Sequence, residues 1–257
     1  MTALAPRFEC KYCVPLSEAE AALRVGRLFL DIDRAAWPDA DGDGPVPVQL
    51  VTSLYLDSPA RTFYAWHVAR RSSRFKLRLR RYSAGRQDVA WAEVKHKVNG
   101  RVLKTRAPLP VDALALVETG RPSEVPRPAD IDPALDDFLV RQRAFDASAQ
   151  MMLRCDRRGV RGSGSDRALG VTVDGALRFR RGPYPSLLAV PADGWLPLPL
   201  ASTCDGAAPT AIVELKHGGH PPVWMRRVMA RLAPWQCSYS KYIAATQAVA
   251  RLEGGRR

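Results

Sequence analysis

Arg74-Phe75-Lys76-Leu77-Arg78-Leu79-Arg80-Arg81-Tyr82 alternates basic and apolar residues as far as Arg80. A period of two is the pleat of a β-strand, so Arg74, Lys76, Arg78 and Arg80 share one face and Phe75, Leu77 and Leu79 the other. The apolar face needs a core. The cationic face, with like charges two residues apart, is stable only against water, carboxylates or a polyanion. Arg81 breaks the alternation and falls on the opposite side.

The rest of the composition fits such a strand. The chain has 257 residues, 46% of them hydrophobic, enough for one large domain or two small ones. Thirty-nine Lys and Arg against 26 Asp and Glu leave a net charge of +13, which favours nucleic acid, polyphosphate, nucleotide or anionic lipid as partner. No apolar run reaches the roughly 18 residues of a membrane span. The first seven residues are too short and polar for a signal peptide, so the cytoplasm is the expected setting. Five cysteines, an odd number, do not suggest a disulfide framework. Cys10 and Cys13 could join His217 and His220 at a zinc ion, but three residues apart on a strand they lie on opposite faces, which disfavours the site. Cys155, Cys204 and Cys237 read as small core or surface residues.

Outward from Arg74, the pattern predicts a strand at Arg7–Tyr12, then a helix with a capping box at Ser17-Glu18-Ala19-Glu20. Residues Asp31–Pro47 read as a loop, Val48–Leu56 as a strand and Arg61–Ala69 as a weak helix. After a turn at Ser83–Gln87, strands at Asp88–Lys97 and Arg101–Ala107 flank Asn99-Gly100, a strong hairpin signal. Helices at Val111–Leu116 and Pro133–Asp146 precede strands at Gln150–Arg157 and Gly170–Asp174, with Leu177–Arg180 continuing the sheet. A loop over Gly182–Pro209 leads to a strand at Ala211–Lys216, a helix opened by Pro221 and Pro222, and a last helix ending at Gly254-Gly255. The predicted class is α+β with a largely antiparallel sheet.

Charges recur at alternate positions on strand after strand: Glu9 and Lys11; Lys76, Arg78 and Arg80; Glu93 and Lys95; Lys104 and Arg106; Glu214 and Lys216. Strands closed around a common axis would point these charges into a basic lumen. Arg forks and Lys ammoniums both bind phosphoryl oxygens, and the carboxylates would hold a bridging divalent metal. The alternative is a sheet with a solvated charged face. Nucleic acid is disfavoured, because basic readers interleave aromatics with their cations, whereas Phe75 lies opposite them here and Tyr82 is the nearby exception. No P-loop, H-x-E or G-x-S-x-G motif is present, and His67 and His96 read as surface or packing residues.

In order, Arg-Phe-Glu-Cys-Lys-Tyr (7–12), Ser-Leu-Tyr-Leu-Asp (53–57), Lys-Leu-Arg-Leu-Arg (76–80), Glu-Val-Lys (93–95), Lys-Thr-Arg (104–106), Glu-Leu-Lys (214–216) and Ser-Lys-Tyr (240–242) resemble the VTC domain. This is the polyphosphate polymerase domain of the vacuolar transporter chaperone family, within the CYTH-like triphosphate tunnel metalloenzymes. The resemblance covers residues 7–250 as one domain, with 1–6 and 251–257 as flexible termini. It implies an antiparallel β-barrel tunnel, a transferase that passes the γ-phosphate of ATP to inorganic polyphosphate, and Mn²⁺ or Mg²⁺ as cofactor.

Matched motifs would give Lys76, Arg78, Arg80 and Glu214 the catalytic roles. Lys11, Lys95, Lys104, Arg106, Lys216 and Lys241 would bind substrate, and Glu214, with Glu9 and Glu93 as metal or ion-pair candidates, would hold the metal. Protein partners are not implied. The chain departs from the pattern at Gly170, where relatives carry Arg, and at Cys155, where Tyr is expected. Arg154, Arg157 or Arg178 would then be the compensating cation, and Arg157 is counted with the substrate-binding residues. Two other activities fit the same residues: hydrolysis of tripolyphosphate or nucleoside triphosphate, and non-catalytic polyphosphate binding.

Overall fold

Phe75, Leu77 and Leu79 are buried together, at 7%, 0% and 0% exposure, so the alternation seen in the sequence is a true two-faced strand. The computed structural model describes residues 8–32, 44–83, 89–99, 101–200 and 209–254. In chain order the strands and helices are β1 (Phe8–Val14), α1 (Leu16–Arg27), β2 (Asp31–Ile32), β3 (Gln49–Asp57), α2 (Thr62–Val68), β4 (Ser73–Tyr82), β5 (Ala90–Val98) and β6 (Arg101–Leu109). There follow α3 (Val111–Glu118), α4 (Pro133–Ala144), β7 (Ser148–Arg161), β8 (Gly170–Arg180), β9 (Leu196–Pro197), β10 (Ala211–His217), α5 (Val223–Leu232) and α6 (Lys241–Gly254). The class is α+β with antiparallel strand pairing.

Two compact units divide the chain. The first takes Met1–Leu50, Cys155–Leu177 and Pro199–Tyr239; the second takes Val51–Arg154, Arg178–Leu198 and Ser240–Arg257. In the first, β1 pairs with β10 from Phe8↔His217 to Val14↔Ala211, and β10 pairs with β8 from Ala211↔Gly175 to Lys216↔Gly170. Tyr12, Val14, Leu23, Val171, Val213, Leu215, Met225 and Leu232 form its core. In the second, β3, β4, β5 and β6 pair in sequence order. Leu54, Leu56, Phe63, Leu77, Leu79, Leu114, Phe138 and Leu139 fill its core. Among the described strands β1 pairs only with β10, apart from a single bridge between Tyr12 and Gln236, and β6 pairs only with β5. Neither set of strands closes on itself, and the closed barrel expected from the resemblance is not drawn by these pairings.

Several local expectations shift. The first helix begins at Leu16, because the Pro15 carbonyl already accepts from the Glu18 and Ala19 amides at 3.2 Å. Ser17 therefore sits inside the helix and makes no capping bond, and Glu20 pairs instead with Arg158. The two strand segments expected around Asp174 are one strand, β8, with Ala176 in the left-handed region (φ 45°) between them. Part of the expected loop after Asp31 is β2, which pairs with Val160 and Arg161.

The register Val98↔Arg101 leaves two residues for the β5–β6 turn, and Asn99 adopts φ 47°, the positive φ that such tight hairpins demand. Gly100, residues 33–43, most of the turn after Ser83, residues 201–208 with Cys204, Arg7 and both chain ends lie outside the described residues. Helix α6 continues through Gly254, so residues 251–254 are helical. Among the described residues no helix is long and apolar enough to cross a membrane.

Candidate functional site

The alternation that buries Leu77 and Leu79 places Lys76, Arg78 and Arg80 on the other face of β4, and the register builds rows across the second unit. One row is Lys76, Lys95 and Lys104, directly opposite one another on β4, β5 and β6. The next is Tyr55, Arg78, Glu93 and Arg106, and a third joins Ser53, Arg80 and Trp91. Like charges set directly opposite across a ladder destabilise it. Three lysines in one row therefore mark a surface suited to an anion.

Glu93 is the hub of these rows, with a side chain fully removed from solvent. Arg78 donates to its Oε2 from Nε at 2.6 Å and from Nη2 at 2.6 Å, and Lys104 Nζ lies 2.6 Å from its Oε1. Arg80 and Arg106 each approach to 3.8 Å. Burial works against the Glu93 carboxylate, but Arg78, Arg80 and Lys104 outweigh it and hold the group well below the usual carboxylate range. The same enclosure acts on the cations. Burial pushes the Lys104 ammonium down to about 8 against the opposing pull of Glu93, although its side chain is 39% exposed. Its Nζ reaches the enclosed carboxylate.

Aromatic groups complete this face. Arg78 donates to the Tyr55 hydroxyl at 3.2 Å, and Arg80 donates to Ser53 Oγ at 3.1 Å and to the Tyr82 hydroxyl at 3.4 Å. Burial alone would raise the Tyr82 phenol, yet Arg80, helped by Lys104 and Arg106, lowers it to about 8. Tyr55 is lowered too, against its burial, by Arg78, Arg80 and Lys241. Arg106 lies over the Trp91 ring, 3.6 Å from its centroid, and 5.2 Å from that of Tyr82. The guanidiniums are thus pre-oriented by flat partners, which limits the entropy lost on binding an oxyanion.

A buried carboxylate builds the flank. Asp57 accepts from the amides of Ser58, Phe63 and Tyr64 at 2.8–2.9 Å, which ties down the start of α2, and from the Tyr242 hydroxyl at 2.7 Å. Tyr242 also stacks on Tyr55, with centroids 5.2 Å apart. This anchors the start of α6, so that Ser240 Oγ accepts from Lys76 Nζ at 2.9 Å and Lys241 acts on Tyr55.

The first unit carries a second charged face. Glu214 pairs with Lys11 Nζ at 3.1 Å and Lys216 Nζ at 3.2 Å, one cation to each oxygen, and Thr172 Oγ1 lies 3.4 Å from Oε2. Glu9 stands opposite Lys216 in the register. Arg157, expected to bind substrate, is clamped on Asp174 by bonds of 2.6 and 2.7 Å. Asp174 raises the Arg157 guanidinium well above its ordinary value despite burial.

Gly170 is opposite Lys216, and a Cβ added there would meet the Val160 carbonyl oxygen at 3.5 Å and Lys216 carbons at 3.9 Å, ordinary contacts. A Cβ therefore fits at the position where the resemblance leads one to expect Arg. Cys155 is buried.

Among the described residues no group of three or more His, Cys, Asp or Glu gathers as a metal cage. Cys13 faces Cys237, with sulfurs 3.0 Å apart, and His217 stacks on Phe8, so the zinc grouping is not assembled. A Mg²⁺ or Mn²⁺ ion held by one or two carboxylates together with substrate phosphates needs no such cage. Glu214, with Glu9 two ladder positions away, fits that donor set once phosphates draw the lysines off. The surroundings of Glu93, saturated by guanidiniums and an ammonium, suit the ion-pair role.

Asp57, Tyr55, Tyr82, Trp91, Asp174 and His67 were not singled out as site residues from sequence. Tyr55 and Asp57 are inside the 53–57 motif, and Tyr82 and Trp91 share the parity of the charged positions on their strands; no local pattern marks Asp174 or His67. His67, read as surface or packing, instead touches β4: Arg74 Nε donates to its Nδ1 at 3.3 Å, and its Nε2 is 3.3 Å from Lys76 Nζ. Arg81 reaches the Leu187 and Leu188 carbonyl oxygens on the core side, as the parity required.

Compared with protein-family models, residues 7–250 match the VTC domain. The chain belongs to the VTC domain family, whose members point to a polyphosphate-related function. A search of the curated proteins gives no match.

Proposed function

We propose that the protein is a metal-dependent polyphosphate polymerase, transferring the γ-phosphate of ATP to a growing polyphosphate chain in the cytoplasm. The observation that carries the reading is the row Lys76, Lys95 and Lys104 beside the Arg78–Glu93–Arg106 row. Such a row of like charges across three strands favours a chain of negative charges lying along it. The family match spans both compact units, which supports treating residues 7–250 as one functional domain. The β-barrel tunnel belongs to the proposal on family grounds.

Phosphoryl transfer needs positioning and charge neutralisation more than a covalent nucleophile. Arg78, Arg80 and Arg106, fixed by Glu93, Tyr55, Ser53 and Trp91, would orient phosphoryl oxygens without reorganising. Lys76, Lys95, Lys104 and Lys241 would neutralise charge along the chain. Lys11 and Lys216 would exchange Glu214 for phosphate, freeing the carboxylate. Glu214 and Glu9 would then hold Mg²⁺ or Mn²⁺, which supplies charge neutralisation on bridging oxygens.

Incubation of the purified protein with ATP and Mn²⁺, with and without a pyrophosphate or polyphosphate primer, should yield polymer on a polyacrylamide gel. Orthophosphate without polymer would replace this reading with hydrolysis. Binding without turnover would replace it with a binding module, an outcome favoured by the missing cation at Gly170.

A further inference from the structure

Apart from its charged face, the first unit brings together two thiols from opposite ends of the chain. Cys13 lies near the end of β1, and Cys237 follows the single 3₁₀ turn Ala233–Trp235. Both are free thiols, and their sulfurs are 3.0 Å apart. Disulfide sulfurs lie about 2.05 Å apart, so about 1 Å of approach makes the bond. The backbone holds the pair in place: Tyr12 bridges to Gln236, and the Cys237 amide donates to the Lys11 carbonyl at 2.9 Å. Cys10, three residues before Cys13 on the same strand, faces the other way.

The two thiols are not equivalent. Cys13 is 1% exposed, whereas Cys237 is half-buried. A hydrogen donated from Cys13 to Cys237 stabilises a thiolate on Cys237, and that bond, with the charge of Lys11, lowers Cys237 to about 7 against its burial. The same bond, together with burial, pushes the Cys13 thiol up. The accessible sulfur is therefore the better nucleophile, and the enclosed one stands ready behind it.

We propose that Cys13 and Cys237 form a reversible redox site whose oxidant is a hydroperoxide. The Cys237 thiolate attacks one peroxide oxygen, the O–O bond breaks, and the leaving oxygen takes a proton from solvent. Cys237 is then a sulfenic acid. The Cys13 sulfur attacks the Cys237 sulfur, the S–O bond breaks, and the departing hydroxide leaves as water with the Cys13 proton. Two thiols and one hydrogen peroxide thus give one disulfide and two waters, with two electrons passing from sulfur to oxygen. In a reducing compartment, exchange with small thiols returns the pair to its starting state. The bond staples β1 to the segment that enters the second unit at Ser240.

The test treats the reduced full chain with about one equivalent of hydrogen peroxide, blocks remaining thiols by alkylation, and reads intact mass and a non-reducing peptide map. Wild type should lose two hydrogens, yield one linked peptide pair carrying Cys13 and Cys237, and return to its starting mass with dithiothreitol. The oxidised form should melt about 5–10 °C above the reduced one, because the link constrains most of the unfolded chain. Cys13→Ser should stop at a sulfenic acid on Cys237, which dimedone traps; a trap on any other cysteine overturns the assigned order. Wild type with Cys13 and Cys237 both still alkylated after treatment overturns the proposal. So does a link from either to Cys10, Cys155 or Cys204, or a link found only between two chains. The wild-type map decides these outcomes even where a variant fails to fold, and none of the readouts depends on polyphosphate binding.

Discussion

Each compact unit builds its charged face around one glutamate, and the two glutamates are treated in opposite ways. Glu93 is fully enclosed and meets Arg78 and Lys104 at 2.6 Å, with Arg80 and Arg106 behind them. Glu214 meets two lysines at 3.1 and 3.2 Å, and its side chain keeps 12% exposure. Arginine holds a carboxylate by planar, directed bonds, whereas lysine is a mobile point charge. The face around Glu93 therefore reads as permanent scaffolding for a cation-rich surface. Around Glu214, Lys11 and Lys216 are matched against Glu214 and Glu9, and Arg157 against Asp174, so that face is near balance and its pairs can exchange. Fixed cations suit binding of a polyanion; exchangeable ones suit a carboxylate that must change partners.

The sharpest way to break this contrast is to remove each glutamate. Glu93→Ala leaves Arg78, Arg80 and Lys104 uncompensated in an enclosed site, and truncating one partner of a buried charge cluster costs about 3–5 kcal/mol. Thermal unfolding should show a fall of about 10 °C or more in Tm, partly restored by tripolyphosphate. Glu214→Gln should shift stability by less than about 1 kcal/mol, its pairs being partly solvated. Under the polymerase reading it should reduce polymer formation from ATP about 100-fold or more. Equal losses of stability in the two variants would erase the distinction between scaffold and exchangeable carboxylate.

The lysine row gives a prediction with opposed signs. Lys95 stands directly between Lys76 and Lys104 in the register, so Lys95→Ala relieves like-charge repulsion by about 0.5 kcal/mol. It should raise Tm slightly while weakening tripolyphosphate binding about tenfold, an interaction energy of about 1.4 kcal/mol. A variant that loses stability and keeps its affinity would make Lys95 a structural residue.

That row also marks what was legible in the sequence. Strict alternation in 74–80 announced both the β4 faces and the cations to be gathered, because a pleat maps sequence parity onto side. The Asn99-Gly100 signal fixed the β5–β6 register closely enough to bring Lys95 opposite Lys104. What parity cannot give is the partner chosen from another strand or helix. Arg157 read as a free cation, but Asp174 occupies it through two bonds. His67 looked unremarkable because Arg74 and Lys76 come to it from seven and nine residues away by tertiary packing. Ser17 misled for a different reason: Pro15 supplied the helix-start carbonyl earlier than the capping box suggested.

A pH titration separates binding from folding on the Glu93 side. Lys104 and Tyr82 both sit near 8, below ordinary values of 10.5 and 10.0. Between about 8 and 10 the unfolded chain holds protons that the folded chain has released, so stability should rise with pH across that window. Tripolyphosphate affinity should move the other way, falling several-fold, because Lys104 loses its charge and Tyr82 gains a negative one. Denaturant unfolding and binding measured at pH 7.5, 8.5 and 9.5 would show the two curves diverging. In Lys104→Met the fall in affinity should shrink to the part owed to Tyr82.

The smallest expected effect tests the near balance of the other face. Gly170 is the position where the resemblance leads one to expect an arginine, and its neighbours leave room for a Cβ at ordinary van der Waals distance. It lies opposite Lys216, itself opposite Glu9. Gly170→Arg would therefore add a cation to a row already holding one of each sign. Replacing a strand glycine removes its conformational cost, roughly 0.5–1 kcal/mol, which offsets the repulsion from Lys216. Stability should stay within about 0.5 kcal/mol of wild type, while tripolyphosphate affinity should increase about two- to threefold. The gain should vanish in Gly170→Gln, which occupies the same space without charge; if Gln works as well as Arg, the row responds to packing rather than to its charge balance.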